Sequence, residues 1–225
     1  EFRQERKISK NSYGKINGTK TNNHFPYPYL CPKFIRMQVY LDNAATTPVA
    51  PKVVEAMIPI LKEGFGNPSS SHFFGRQVKA HIETARRSIA KHINCSPSEI
   101  IFTSGGTEAD NMAITEAVNS LGVKRIVTST IEHHAVGHTA ANICDKKDIE
   151  LVYVKIDEKG QVDLTDLKTI LSDGKKTLVS LMHANNEIAT LLPIEEVSKV
   201  CRENGAFFHS DTVQTMGHYP FDLQK

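Results

Sequence analysis

The chain has 225 residues, 40% hydrophobic and 23% charged, with 13 Gly, 10 Pro and no Trp; this fits a globular chain of one or two domains and excludes collagen, coiled coil and wholesale disorder. Its net charge of +2 hides an asymmetry, because residues 1–36 carry eight Lys/Arg against two Asp/Glu and leave a net of −4 on the rest. No apolar run approaches the roughly 18 residues of a membrane helix, and no secretory signal opens the sequence, so a cytoplasmic location without membrane contact is expected.

Residues 1–36 are rich in Lys, Asn, Gly and Pro with no apolar period, so burial cannot offset their ordering entropy. They read as a basic flexible extension, or as sequence not native to the protein with Met37 as its true start; no direct nucleic-acid contact is expected. Residues 37–225 read as the folded part. Cys31, Cys95, Cys144 and Cys201 are far apart with no C-x-x-C pair, which suits neither a disulfide framework nor a zinc site.

From Met37 onward, short apolar runs alternate with helical periods. Residues 51–63 predict a helix with Pro51 in its first turn and Gly64 at its end, although Pro59 lies inside it. Val78, Ile82, Ala85 and Ile89 give an apolar stripe on a helix over 75–93. Residues 99–103 (EIIFT) predict a buried strand, Ser104–Gly105–Gly106 a turn, and 107–121 a helix. The pattern then repeats: strand 125–130, helix after His134, strand 150–156, helix 163–171, strand 177–183, helix 193–204 and strand 206–211. Such alternation implies a mainly parallel sheet with helices on both faces and a ligand site beyond the carboxyl ends of the strands.

Four of those ends carry polar residues. At Ser104–Gly105–Gly106–Thr107–Glu108, a glycine turn opening a helix offers backbone N–H groups to an anion; lacking G-K-[ST] and G-x-G-x-x-G, it suits a small phosphorylated group better than a nucleotide. Ile131–Glu132–His133–His134 places an imidazole where it can stack on a ring or pass a proton, while His-His alone fixes no third metal ligand. Asn185–Asn186–Glu187 either presents amides to a ligand oxygen or forms an Asx turn. Asp211 follows the run Ala206–Phe208, where a carboxylate is costly unless it meets a cation such as a protonated ring nitrogen. Together the four ends fit pyridoxal 5′-phosphate.

Six segments carry a resemblance: YLDNAATTP (40–48), GNPSSSH (66–72), IIFTSGGTEADN (100–111), IEHHAV (131–136), HANNEIAT (183–190) and FHSDTVQTMG (208–217). In this order, and spanning 39 to about 223, they closely resemble the NifS/IscS-like cysteine desulfurases of aminotransferase class V. The resemblance implies the three-layer α/β/α large domain of fold-type I pyridoxal-phosphate transferases. It also implies that Thr107 with the Gly106 backbone binds the cofactor phosphate. His133 would stack on the ring as a candidate acid/base, Asn186 and Gln214 would contact the ring hydroxyl, and Asp211 would hold the ring nitrogen. Ala189 stands where the family often has Gly, and a small backbone adjustment is expected there.

The implied reaction takes sulfur from L-cysteine, leaving alanine and an enzyme persulfide that passes to sulfur-acceptor or scaffold proteins in iron–sulfur cluster assembly or tRNA thiolation, with a homodimer as the full-length form. The family's Ser-x-His-Lys segment and its nucleophilic cysteine loop do not occur in these residues, so the chain is expected to be a C-terminally truncated fragment, inactive alone. A selenocysteine lyase or aminotransferase of the same class, and a non-catalytic cofactor- or partner-binding module, are the alternatives.

Overall fold

A computed structural model describes residues 39–224; the extension 1–36 and Cys31 lie outside the described residues. The chain from Asp42 onward forms one compact unit. Among the described residues no helix is long and apolar enough to cross a membrane.

Helix α1 (Pro51–Glu63) starts on the proline the sequence assigned to its first turn and tolerates Pro59 within it. None of its residues is buried, and Val53, Met57, Ile60 and Leu61 are exposed. Helix α2 (Phe73–His92) is capped by His72, which accepts from Gly75 N. Its predicted stripe is only half covered: Val78 and Ile82 are half-buried, Ala85 and Ile89 exposed.

The strand predicted over 99–103 is absent. Pro97–Glu99 is a 3₁₀ turn in which Ser96 N donates to Glu99 Oε2 (2.6 Å), and Ile101 and Phe102 are exposed. A strand needs a neighbour for its backbone groups, and the sheet formed by the described residues has none beside this run.

That sheet comprises β1 (Arg125–Thr128), β2 (Glu150–Tyr153), β3 (Thr177–Ser180) and β4 (Phe207–His209) in the order β2-β1-β3-β4. Every pairing is parallel, with Ile126 opposite Leu151 and Leu178, and Val179 opposite Phe208. Because successive side chains alternate across a sheet, Ile126, Leu178, Leu151 and Phe207 meet α3 (Gly106–Asn119) and α4 (His134–Lys147). Val127, Val179, Val152 and Phe208 meet α5 (Leu164–Leu171) and α6 (Ile194–Glu203) on the other face. The result is the three-layer α/β/α arrangement with a parallel sheet. Ala206–Phe208, read as a buried run, is half-buried, because β4 is the outer strand of this sheet.

Each strand stops earlier than its apolar run suggests, but the residues beyond stay buried and linked, Leu181 N donating to His209 O and Val154 N to Thr128 O. The amino end is closed differently. There the buried Arg125 donates from Nη1 and Nη2 to the two carboxylate oxygens of Asp173, each at 2.8 Å, and from Nε to Thr177 Oγ1. These bonds hold the Asp173 carboxyl down at about 2. Helix α5 opens on Asp163, whose carboxylate accepts from Thr165 N and Asp166 N, a cap worth about 1 kcal/mol.

Candidate functional site

The first strand-end segment becomes the start of α3. Its N-cap is Gly105, which has no side chain to satisfy the first turn, so the opening N–H groups face outward at the positive end of the helix. Glu108 turns back instead, its Oε2 accepting from Ser104 N at 2.6 Å, and the Ser104 side chain together with that backbone bond lowers its carboxyl below the ordinary value. Gly106 is needed for close packing: a Cβ there would lie 2.7 Å from Val213 Cγ2.

His133 is the N-cap of α4, with Nδ1 accepting from Ala135 N (3.1 Å). A neutral ring that accepts at Nδ1 carries its proton on Nε2. The bond also fixes the ring plane. His134 stacks towards His138, centroids 4.9 Å apart, and does not line the cleft described below.

The adjacent asparagines divide two tasks that the sequence left as alternatives. Asn185 is buried; its Oδ1 accepts from Glu187 N and Ile188 N, and its Nδ2 donates to Ile131 O, which is the Asx turn. Asn186 is half-buried and faces the cleft, donating to Glu187 Oε1 (2.9 Å). Three residues after Asn186, Ala189 itself adopts the left-handed conformation at φ 57°.

Asp211 is 8% exposed and accepts from Val213 N at 2.9 Å. Among the described residues no ion pair reaches it. Its backbone is held from behind, since His183 N donates to Asp211 O (2.9 Å). The buried His183 ring in turn bonds through Nδ1 to Thr215 Oγ1 (2.9 Å) and packs edge-on against Tyr219 and Phe221. Burial pushes His183 below its ordinary value, so it serves as a neutral strut. Gln214 is oriented by the bond from its Nε2 to Ala44 O (3.0 Å).

One cleft of about 310 Å³ gathers Gly106, Thr107, His133, Asn186, Asp211 and Gln214. The same cleft is lined by Ala44, Ala45, Asp110, Met182 and Val213, which sequence reasoning missed. Asp110 carried a usable signal, because three residues after Thr107 it must share a helix face with it. The small and apolar residues carried none. Buried Cys144 and Cys201, pushed up to about 11 and 12 by desolvation, lie in the two helix–sheet cores. Among the described residues no group of three or more ligating side chains is placed to hold a metal.

The donor set suits a phosphorylated, cationic aromatic group. An uncapped helix start offers N–H groups to an anion, a glycine keeps the wall beside it open, and a buried carboxylate stands without a counter-charge.

The sequence matches the family described as Aminotransferase class-V over residues 39–225. It is 50% identical over 193 residues to the cysteine desulfurase IscS of Dictyoglomus turgidum, across 85% of this chain and 48% of that protein. A solved NifS-like protein superposes with a TM-score of 0.77 at 39% identity, over 84% of this chain and 52% of that one. The structure of SspA in complex with cysteine superposes with a TM-score of 0.73 at 31% identity, over 82% and 53%. The chain therefore spans about half the length of the curated relatives it matches.

Proposed function

The chain belongs to the aminotransferase class-V family, and from that premise we propose that its cleft is a pyridoxal 5′-phosphate site and that the whole protein is a cysteine desulfurase. The observation that carries this reading is the convergence of Thr107, His133, Asn186, Asp211 and Gln214 on one cleft beyond the carboxyl ends of parallel strands.

When bound, the cofactor supplies a cationic ring that withdraws electrons from the α-carbon of an amino acid. Thr107 and the open N–H groups at the start of α3 bind the phosphate. The His133 ring, braced through Nδ1, offers a flat face for stacking and a proton at Nε2; taking up a second proton at Nδ1 would cost the α4 cap. Asn186 and Gln214 orient the ring oxygen. Asp211 holds the ring nitrogen in its protonated form, and that charge-assisted bond contributes about 1.5–3 kcal/mol.

For the whole protein the substrate is L-cysteine, the product alanine, and the sulfur leaves on an enzyme cysteine for acceptor or scaffold proteins in the cytoplasm. The exposed apolar residues of α1 favour a covering surface, in keeping with a homodimer.

The test is titration of the 225-residue chain with 4′-deoxypyridoxine 5′-phosphate, which lacks the aldehyde and so reports non-covalent recognition alone. Saturable binding, weakened about 10- to 100-fold by Asp211→Asn, is expected. Absence of binding at millimolar probe, or an unchanged affinity in the variant, would overturn the assignment.

A further inference from the structure

We infer that Asn111 is a positioning residue for the cleft: its side-chain amide ties the backbone carbonyl of Thr107, in the opening turn of α3, to that of Ala135, in the opening turn of α4, and so fixes the anion-binding turn against the His133 ring. The inference rests on the cofactor reading above and goes beyond it, because Asn111 does not itself line the cleft.

Each helix start at the cleft needs a brace from elsewhere. Gly105 gives α3 no capping side chain, and the cap of α4 is the His133 ring, which the ligand uses as a stacking face. Asn111, half-buried on α3, lies between the two. Its Nδ2 is 3.0 Å from Ala135 O and 3.3 Å from Thr107 O, and the Thr139 hydroxyl touches the same amide. Turned over, the amide would keep the Thr139 contact but set Oδ1 against two carbonyl oxygens. With nitrogen on that side, its two N–H groups meet two acceptors.

Each of these bonds acts through a planar peptide. The Thr107 carbonyl shares its plane with the Glu108 N–H, one of the opening groups of α3 that have no carbonyl of the helix to engage. An amide held on that oxygen therefore sets the direction in which the N–H meets an anion, and strengthens it as a donor. The Ala135 carbonyl shares its plane with the Val136 N–H, which donates to His133 O (2.9 Å), while Ala135 N donates to His133 Nδ1 (3.1 Å). One amide thus reaches the main chain of His133 and, through it, the ring. Elsewhere the two helices share an apolar cluster, with Ile114, Ala117 and Val118 from α3 and Val136 and Ala140 from α4. Apolar attraction is non-directional, and the Asn111 bonds add the directional tie at the end where the ligand binds.

The experiment titrates the full 225-residue chain with 4′-deoxypyridoxine 5′-phosphate and follows the urea unfolding of each variant in parallel. Asn111→Ala is expected to bind the probe about 10-fold more weakly. So is Asn111→Asp, which keeps the shape of the side chain but lacks both N–H groups and decides the matter should the alanine variant fail to fold. Val118→Ala, which thins the same α3–α4 core near the far end of α3, is the control for stability alone. It should unfold at lower urea yet bind within about 2-fold of the native chain. An affinity that the Asn111 variants leave in place, or that falls as far in Val118→Ala, overturns the inference while the cofactor reading stands. A native chain that does not bind the probe at millimolar concentration defeats the cofactor reading and the role of Asn111 with it.

Discussion

Gly106 and Val213 approach so closely that a Cβ on the glycine would lie 2.7 Å from Val213 Cγ2. Real Cβ atoms do not tolerate that distance, and a β-branched neighbour has few rotamers in which to retreat. Gly106→Ala is therefore expected to displace Val213 and distort the wall between Thr107 and Asp211. The predicted loss of affinity for 4′-deoxypyridoxine 5′-phosphate is about 10-fold, or about 1.4 kcal/mol, and Gly106→Ala with Val213→Ala should recover most of it. A double variant no better than the single one would show that the contact does not shape the site.

Ala189 pays for a left-handed backbone that glycine adopts freely. Ala189→Gly should stabilise the chain by about 0.5–1 kcal/mol, the folded-state relief exceeding the added entropy of the unfolded chain. Urea unfolding at pH 7.5 measures it, with the midpoint rising at unchanged slope.

The Arg125–Asp173 pair gives a pH signature. The Asp173 carboxyl is held at about 2, below its ordinary 3.8, first by the Arg125 hydrogen bond. Because the folded value is depressed, its contribution is present above the ordinary value and is lost as pH falls through about 2. Asp173→Asn should lower the thermal midpoint at pH 7 and approach the native chain's behaviour as pH falls towards 2. A gap that stays constant with pH would rule out ionisation as the source.

Buried Cys144 and Cys201 should resist thiol reagents in the folded chain. With thiols lifted to about 11 and 12, the thiolate fractions at pH 8 are roughly one in a thousand and one in ten thousand, and only the thiolate reacts. Mass spectrometry after brief exposure to iodoacetamide is expected to find both unmodified, and both labelled in urea.

Much of the layered arrangement was legible because short apolar runs alternate with helical periods, and β1 and β3, each with an apolar pair at its centre (Ile126–Val127 and Leu178–Val179), are buried along their whole length. Ile100–Thr103 misled for the same reason: the residues have strand character, but strand character is a statement about neighbours, and this run has none in the sheet. In the site, glycine, histidine and carboxylate carried signals because their chemistry is costly or conformationally special. Met182 and Ala44 were silent, being ordinary residues that matter only through position.

The order of the sheet also bears on how the chain acquires its shape. β1 lies between β2 and β3, and Arg125 pairs with Glu150 on one side and with Thr177 on the other. The middle ribbon thus waits for a neighbour 52 positions later before both its edges are occupied. Links so distant along the sequence close slowly, and on the ribosome, at about 5–20 residues added per second, Ile126 and Val127 stay uncovered for seconds. Newly made chains would be sticky during that interval, so yield from the cell should respond to growth temperature and chaperone supply more than to the final stability.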